Sequence, residues 1–221
     1  MKACAIIHKS GGGTGINFSK IRAKGEVVEG TGRCASGPIS FMHVFNEATE
    51  TIKQGGKRRG ANLGSLDITH PDIKEFITCK HKEGELSNFN ISVNITDEFM
   101  RNKDAEVFNL IVDGIWRNGE PGIIFTDSAE KDNKRPDLGK LEHTNPCGET
   151  RLLAWESCNL ASINLMSCMR ENYHFDMDEF KRLVCIGVRF LNHMLDVNEY
   201  PLRKIAEATR TTRKIGLGVM G

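Results

Sequence analysis

The sequence predicts an α/β fold, and three observations predict it. Strand-like runs recur at Asn88–Ile95, Ile123–Thr126 and Ser157–Leu165, the first alternating polar with apolar residues. Between and after them lie stretches with apolar residues at helical spacing, about Ile39 to Gln54, Asp104 to Asn118 and Asp176 to Val197. The 221 residues, 39% of them hydrophobic, suffice for one domain with a sizeable core.

In chain order, Ala3 to Ile7 is an apolar strand candidate. It runs through His8-Lys9-Ser10 into Gly11-Gly12-Gly13-Thr14-Gly15-Ile16-Asn17, where glycine lets a backbone approach a ligand and offers N–H groups to phosphate or ribose oxygens. The run is neither a dinucleotide fingerprint nor a P-loop, since the GxGxxG register and a terminal GK[ST] are missing. Arg22 to Gly37 is a glycine-rich loop of mixed charge that ends in Ala35-Ser36-Gly37-Pro38. Ser36 is the predicted N-cap and Pro38 an early position of the helix that follows, whose stripe includes Phe41, Met42, Phe45 and Ile52.

Lys53 to Gly64 then gathers Lys57, Arg58 and Arg59 among glycines, a pattern suited either to a loop that folds around a triphosphate or to a solvated basic turn. Ser65 to Thr69 is a short strand and Pro71 to Cys79 a helix. The strand Asn88–Ile95 puts Asn88, Asn90, Ser92 and Asn94 on one face, as in a wet interior or an exposed sheet face. Thr96-Asp97 caps a turn, and the next helix turns Val107, Phe108, Ile111, Ile115 and Trp116 inward. After the turn Gly119–Gly122 and the strand Ile123–Thr126, a polar connection reaches Thr144. Gly187 allows close packing in the middle of the long helix, His193 beside its stripe is packed or solvated, and Pro201 to Thr212 starts a further helix. Lys214–Gly221 reads as a strand cut off as it begins.

The chain is organised around Thr144-Asn145-Pro146-Cys147-Gly148-Glu149-Thr150. Pro146 and Gly148 disfavour helix, so this is an extended or looped segment between two strands. Alternation along an extended backbone brings Asn145, Cys147 and Glu149 together on one face. Nucleophilic thiols are held as thiolates by a cation or a histidine, and a carboxylate neighbour works the other way. A thiol beside a base and an amide therefore suits hydrogen-atom chemistry, although such a trio on its own is more often a surface turn than a site.

Thirty basic and 29 acidic residues give a formal net charge of +1, which points to neither nucleic acid nor a membrane surface. Seven cysteines at positions 4, 34, 79, 147, 158, 168 and 185, with no CxxC pair, read as free thiols in a reducing, cytoplasmic setting rather than as a metal site.

Four segments taken together closely resemble the catalytic subunit of ribonucleotide reductase, and most closely its adenosylcobalamin-dependent class. They are Ser10–Gly15, Ala35–Pro38, Arg58–Asn62, and Asn145–Glu149 with Ser157–Leu160. The resemblance implies a partial ten-stranded α/β barrel treated as one incomplete domain, with residues 1–126 the effector-loop half, 127–156 the finger loop and 157–221 the start of the second half. It implies that Cys147 becomes a thiyl radical, that Glu149 is the base, that Asn145 grips the sugar hydroxyls, and that Cys158 is one of two reducing thiols. Cys4 and Cys34 match no reducing-cysteine motif.

The same resemblance implies substrate contacts at Gly12, Gly13, Ser36, Ala61 and Asn62, and binding of a deoxynucleoside triphosphate effector by Arg22, Lys24, Lys57, Arg58 and Arg59. Its implied partners are a ribonucleoside di- or triphosphate, a second copy or complementing reductase fragments, and a thioredoxin-like reductant. Adenosylcobalamin would be held mainly by parts outside this chain, which reads as the central piece of a split, intein-interrupted or truncated enzyme, inactive until complemented. The competing readings are a regulatory or nucleotide-binding remnant without catalysis and a phosphoryl-transfer enzyme. The latter lacks a P-loop or a metal-binding carboxylate pair.

Overall fold

The computed structural model describes residues 1–52, 59–171 and 173–221, which form two compact units, Met1–Ala154 and Trp155–Gly221. In the first unit the order is α1 (Lys2–Lys9), β1 (Thr14–Asn17), β2 (Val27–Val28), β3 (Arg33–Cys34), α2 (Pro38–Thr51), β4 (Asn62–Asp67), α3 (Ile73–Thr78) and β5 (Phe89–Ile95). There follow α4 (Asp97–Arg101), α5 (Ala105–Asn118), β6 (Gly122–Phe125), α6 (Thr126–Lys131), a 3-10 turn at Pro136–Leu138, β7 (His143–Thr144) and β8 (Arg151–Leu152). The second unit holds β9 (Asn159–Asn164), a 3-10 turn at Leu165–Cys168, α7 (Met177–Val197), α8 (Arg203–Thr212) and β10 (Ile215–Met220).

β1, β4, β5 and β6 form a parallel sheet in that order, each joined to the next by a helical crossover. One face packs on the helices. Phe89, Ile91, Val93 and Ile95 of β5 join Met42 of α2, Ile73, Phe76 and Ile77 of α3, and Val107 and Ile111 of α5 in a single core. Each large side chain buried there contributes about 2 kcal/mol of transfer free energy. The opposite face carries Asn17, Ser65, Asp67, Asn90, Ser92 and Asn94, in register as Asn17↔Ser65↔Ser92 and Asp67↔Asn94. In the second unit β9 and β10 pair in parallel, and α7 packs on both. A Cβ on Gly187 would stand 3.1 Å from Leu217 of β10, so glycine there permits the close approach that its position in the stripe predicts.

Several local expectations change. Ala3–Ile7 is helical, because Cys4 and His8, one turn apart, are the residues that α1 buries, and a short apolar run does not reveal its period. The glycine run ends that helix, with the Gly11 and Gly12 N–H groups donating to His8 O and Ile7 O at 3.0 Å each, and the strand starts at Thr14. Gly37, at φ +81, takes the N-cap position of α2 in place of Ser36, which accepts a 2.6 Å hydrogen bond from the Ser40 hydroxyl.

In α5 the buried line is Val107, Ile111 and Gly114. Trp116 is 91% exposed, since at 100° per residue it has rotated off that line. Phe41 of α2 is likewise exposed. Asn88 precedes β5 and turns out of the strand's alternation. Its amide binds Asn46 O and Oδ1 and Glu50 Oε2 of α2, so the polar row consists of Asn90, Ser92 and Asn94.

Candidate active site: a cysteine hairpin on the polar face of the sheet

β7 and β8 pair antiparallel, Thr144 opposite Arg151, and the residues between them form a reverse turn. The Gly148 N–H donates to Asn145 O at 3.0 Å. Pro146 fits the turn's second position with its fixed φ, and Gly148 adopts φ +83, which a side chain would resist. The backbone is thus looped, not extended, and alternation is not what brings the side chains together. The turn folds Asn145 and Glu149 back on one another, and Asn145 Nδ2 donates to Glu149 Oε1 at 2.6 Å. Asn145 Oδ1 accepts the Thr150 N–H at 3.1 Å, while the Thr144 hydroxyl donates to Thr150 O at 2.9 Å. Cys147 sits at the tip with its side chain exposed. Glu149, also exposed, retains acceptor capacity on its carboxylate.

The hairpin lies on the sheet face that carries the polar row. A Cβ on Gly15 would stand 1.6 Å from Thr144 O, and one on Gly13 would stand 2.3 Å from the Pro146 ring, so two glycines of the run make room for the hairpin backbone. Asn90 Nδ2 donates to Pro146 O at 2.7 Å and Asn17 Nδ2 to Glu142 O at 3.2 Å. Lys20 Nζ binds Glu142 Oε2 at 2.8 Å, which holds that carboxyl below its usual range. At the hairpin's foot Arg151 Nη2 donates to Leu141 O at 2.5 Å. Burial pulls the Arg151 pKa below its ordinary value, while the Glu130 and Asp67 carboxylates act in the opposite direction. Burial also lowers the pKa of the neighbouring His143.

Gly13 and Ala61 meet beside this hairpin, while Gly12 packs on Ile7 of α1. The Thr14 N–H donates to Ala61 O at 3.0 Å, and Ala61 O lies 3.2 Å from where a Cβ on Gly13 would be. Asn62 is adjacent in sequence, but strand alternation turns its side chain to the opposite, helix-packed face. There it is fully buried and fully engaged: Oδ1 accepts from the Thr14 hydroxyl (2.6 Å) and the Cys4 thiol (3.5 Å), and Nδ2 donates to Thr49 Oγ1 (2.9 Å) and Asn88 O (3.2 Å). Its side chain therefore serves the fold and is not free for a ligand. Burial raises the Cys4 pKa and lowers that of His8, so this cluster is neutral. Ser36 is exposed at the start of α2.

Of the basic residues assigned to an effector, Lys57 and Arg58 lie outside the described residues. Arg22 is exposed, and Lys24 Nζ pairs with Glu75 at 3.0 Å. Arg59 is held by Glu50 Oε2 and Asn88 Oδ1, both at 2.5 Å, and by Ser87 Oγ at 2.8 Å. Cys158, half-buried, directly precedes β9 in the second unit. None of the seven cysteines is joined in a disulfide, and among the described residues no group of three or more His, Cys, Asp or Glu is placed to hold a metal ion. No helix among them is long and apolar enough to cross a membrane. Sequence reasoning missed Asn90, Asn17 and Gly15. The polar alternation of β5 was the available signal for the first, but nothing in the sequence showed that the hairpin would lie against it.

The barrel-domain family of ribonucleotide reductase matches residues 1–107 and 102–221. The chain is 46% identical to the vitamin B12-dependent ribonucleoside-diphosphate reductase of Thermoplasma acidophilum, over 100% of this chain and 32% of that protein. It is 41% identical to the enzyme of the same name from Mycobacterium tuberculosis, over 98% of this chain and 34% of that protein. It thus spans about a third of the length of these relatives. The fold superposes on the class Id ribonucleotide reductase alpha subunit of Actinobacillus ureae with a TM-score of 0.74 at 24% identity, covering 99% of this chain and 42% of the other. With a match that runs from end to end and a fold that agrees, the chain belongs to the ribonucleotide reductase family and forms part of its barrel domain.

Proposed function

We propose that these 221 residues supply the hydrogen-abstracting hairpin of an enzyme that reduces ribonucleotides to 2′-deoxyribonucleotides. The observation that carries the reading is the Asn145–Glu149 hydrogen bond on a turn whose tip presents the Cys147 thiol. In this reading Cys147, as a thiyl radical, takes the hydrogen atom from C3′ of the ribose and becomes a thiol. Glu149 accepts the 3′-hydroxyl proton as the 2′-hydroxyl leaves as water, with a proton from a reducing thiol. Asn145 holds the sugar hydroxyls, and its bond to Glu149 keeps the carboxylate turned toward them. Cys158 is one of two thiols that together give two electrons and two protons and end as a disulfide. Glu149 then gives its proton back to the 3′ oxygen, and Cys147 returns its hydrogen atom to C3′.

Vitamin B12 stands in the names of the relatives, and adenosylcobalamin, when bound, would supply the oxidising equivalent that makes the thiyl radical. What this chain offers it is the exposed Cys147 side chain, open to an oxidant from outside the hairpin. The backbone at Gly12, Gly13 and Ala61 would take the substrate, a ribonucleoside diphosphate by the relatives' names, with Ser36 as a further contact. Arg22, Lys24, Lys57, Arg58 and Arg59 would bind a deoxynucleoside triphosphate effector in a homodimer. A thioredoxin-like protein would restore the thiols in a reducing cytoplasm. Turnover would require barrel segments that the relatives carry outside the matched third.

The test is deoxynucleotide formation from a ribonucleoside diphosphate, with adenosylcobalamin and a dithiol, by the chain alone and by the chain combined with the remaining segments. Reduction by the combination and none by the chain alone is the expected result. Tight triphosphate binding with no reduction in either case would instead favour a regulatory remnant.

A further inference from the structure

The only side chain of the parallel sheet that holds the hairpin at the residue before Cys147 is that of Asn90, among the described residues. Its amide donates to Pro146 O at 2.7 Å, and Pro146 O belongs to the peptide unit that ends in the Cys147 nitrogen. Fixing that carbonyl fixes the plane of the peptide from which the Cα–Cβ bond of Cys147 departs. The ring of the same proline abuts Gly13, where a Cβ would come to 2.3 Å of it, and Leu63 of β4 lies 3.6 Å from where a Cβ on Gly148 would be. Pro146 and Gly148 therefore rest on the sheet at three points, and Asn90 supplies the polar contact. Asn90 itself is backed by β5, whose neighbours Phe89, Ile91 and Val93 are buried in the core, so it is mounted on a well-packed strand.

We propose that Asn90 is a positioning residue for the thiol at 147. It sets where the sulfur stands relative to a bound sugar without touching the sugar. The reason for an asparagine is chemical: the acceptor is a carbonyl, so the partner must donate, and at this reach on a strand a carboxylate of the same shape would repel it. The inference rests on the reading of Cys147 given above.

The test compares Asn90→Asp, Asn90→Leu and Asn90→Gln. Position 90 is exposed, so folding should survive each change. Hydrogen exchange in the full chain, without nucleotide or cofactor, reads the hairpin directly. The Gly148 and Thr150 amides should exchange about fivefold to tenfold faster in the Asp and Leu variants, and the Gln variant, which keeps a donor, should recover most of the protection. The Ile91 and Val93 amides should not change. In the assembled enzyme kcat should fall about tenfold or more in the Asp and Leu variants with KM for the nucleotide unchanged, because a misplaced sulfur affects the abstraction step and not binding. Unchanged exchange in Asn90→Asp, or faster exchange with unaltered kcat, would overturn the inference. An unaltered enzyme that never reduces nucleotides would sink the Cys147 reading and the catalytic half of this one, leaving the exchange data to decide the anchoring half.

Discussion

Asn145 Nδ2 and Glu149 Oε1 stand 2.6 Å apart, across a turn whose closing hydrogen bond runs from the Gly148 N–H to Asn145 O. One residue thus shapes the turn with its backbone and orients the carboxylate with its side chain. Replacing Glu149 by Gln keeps an oxygen to accept that bond and removes the base. The expected outcome is a fall in kcat of about 10²- to 10⁴-fold with an unchanged unfolding midpoint, read by steady-state assay of the assembled enzyme and by thermal denaturation.

Gly15 is required for a different reason. Alanine there would put a methyl 1.6 Å from Thr144 O, a backbone atom with no rotamer to escape into, so β1 and the hairpin must separate. Gly15→Ala should destabilise the chain by about 3 kcal/mol or more, measured by urea unfolding, and should loosen the hairpin amides first. Gly25, beside which nothing lies within 4 Å, has φ +87 and should show only the cost of that backbone conformation, about 1 kcal/mol, when changed to alanine.

Asn62 lies on the other face and is a matter of stability. Asn62→Ala would take the 2.6 Å acceptor from the Thr14 hydroxyl and one donor each from Thr49 Oγ1 and Asn88 O, where Thr49 and Asn88 are buried; Asn88 O would keep only the backbone N–H of residue 62 and Thr49 its bond to Phe45 O. A loss of about 3 kcal/mol is expected in chemical denaturation. Asn62→Asp should do no better, because it cannot donate to Thr49 or Asn88.

Acid should weaken the fold through His8 and His143. Burial lowers both below the usual histidine value, so between their folded values and about 6.5 the unfolded chain binds more protons than the folded one. Stability from this source is therefore level above about pH 7 and declines as pH falls through the unfolded value, until the folded groups also titrate. Replacing both histidines with Asn should flatten that part of the curve of denaturation midpoint against pH. A decline that persists undiminished would assign it to other groups.

The alternation of Phe89–Ile95, the helix starting after Asp104 and the final strand at Ile215–Met220 were legible because each is a periodic run long enough to declare itself. Ala3–Ile7 was not, since five apolar residues fit either period, and its helix is settled by Cys4 and His8 facing Thr14 and Thr49. Asn145 and Glu149 were singled out from residue type, but the manner in which those two meet was not. A Pro-Cys-Gly turn and a strand differ in backbone sign at Gly148, which composition does not reveal. Asn62 misled because one position along a strand changes the face, and only the sheet register tells Asn62 from Leu63. The seat formed by Gly13, Gly15, Asn17 and Asn90 depends on contacts more than 50 residues apart in sequence, beyond the reach of any local pattern.

The most direct test of the central claim follows tritium at C3′ of a ribonucleotide in the assembled enzyme carrying Cys147→Ser. A hydroxyl is a far poorer hydrogen-atom carrier than a thiol, so no C3′–H cleavage and no deoxynucleotide should be detected, while the fold and triphosphate binding persist. Continued C3′ cleavage and product formation in that variant would contradict the assignment of the abstracting sulfur to Cys147.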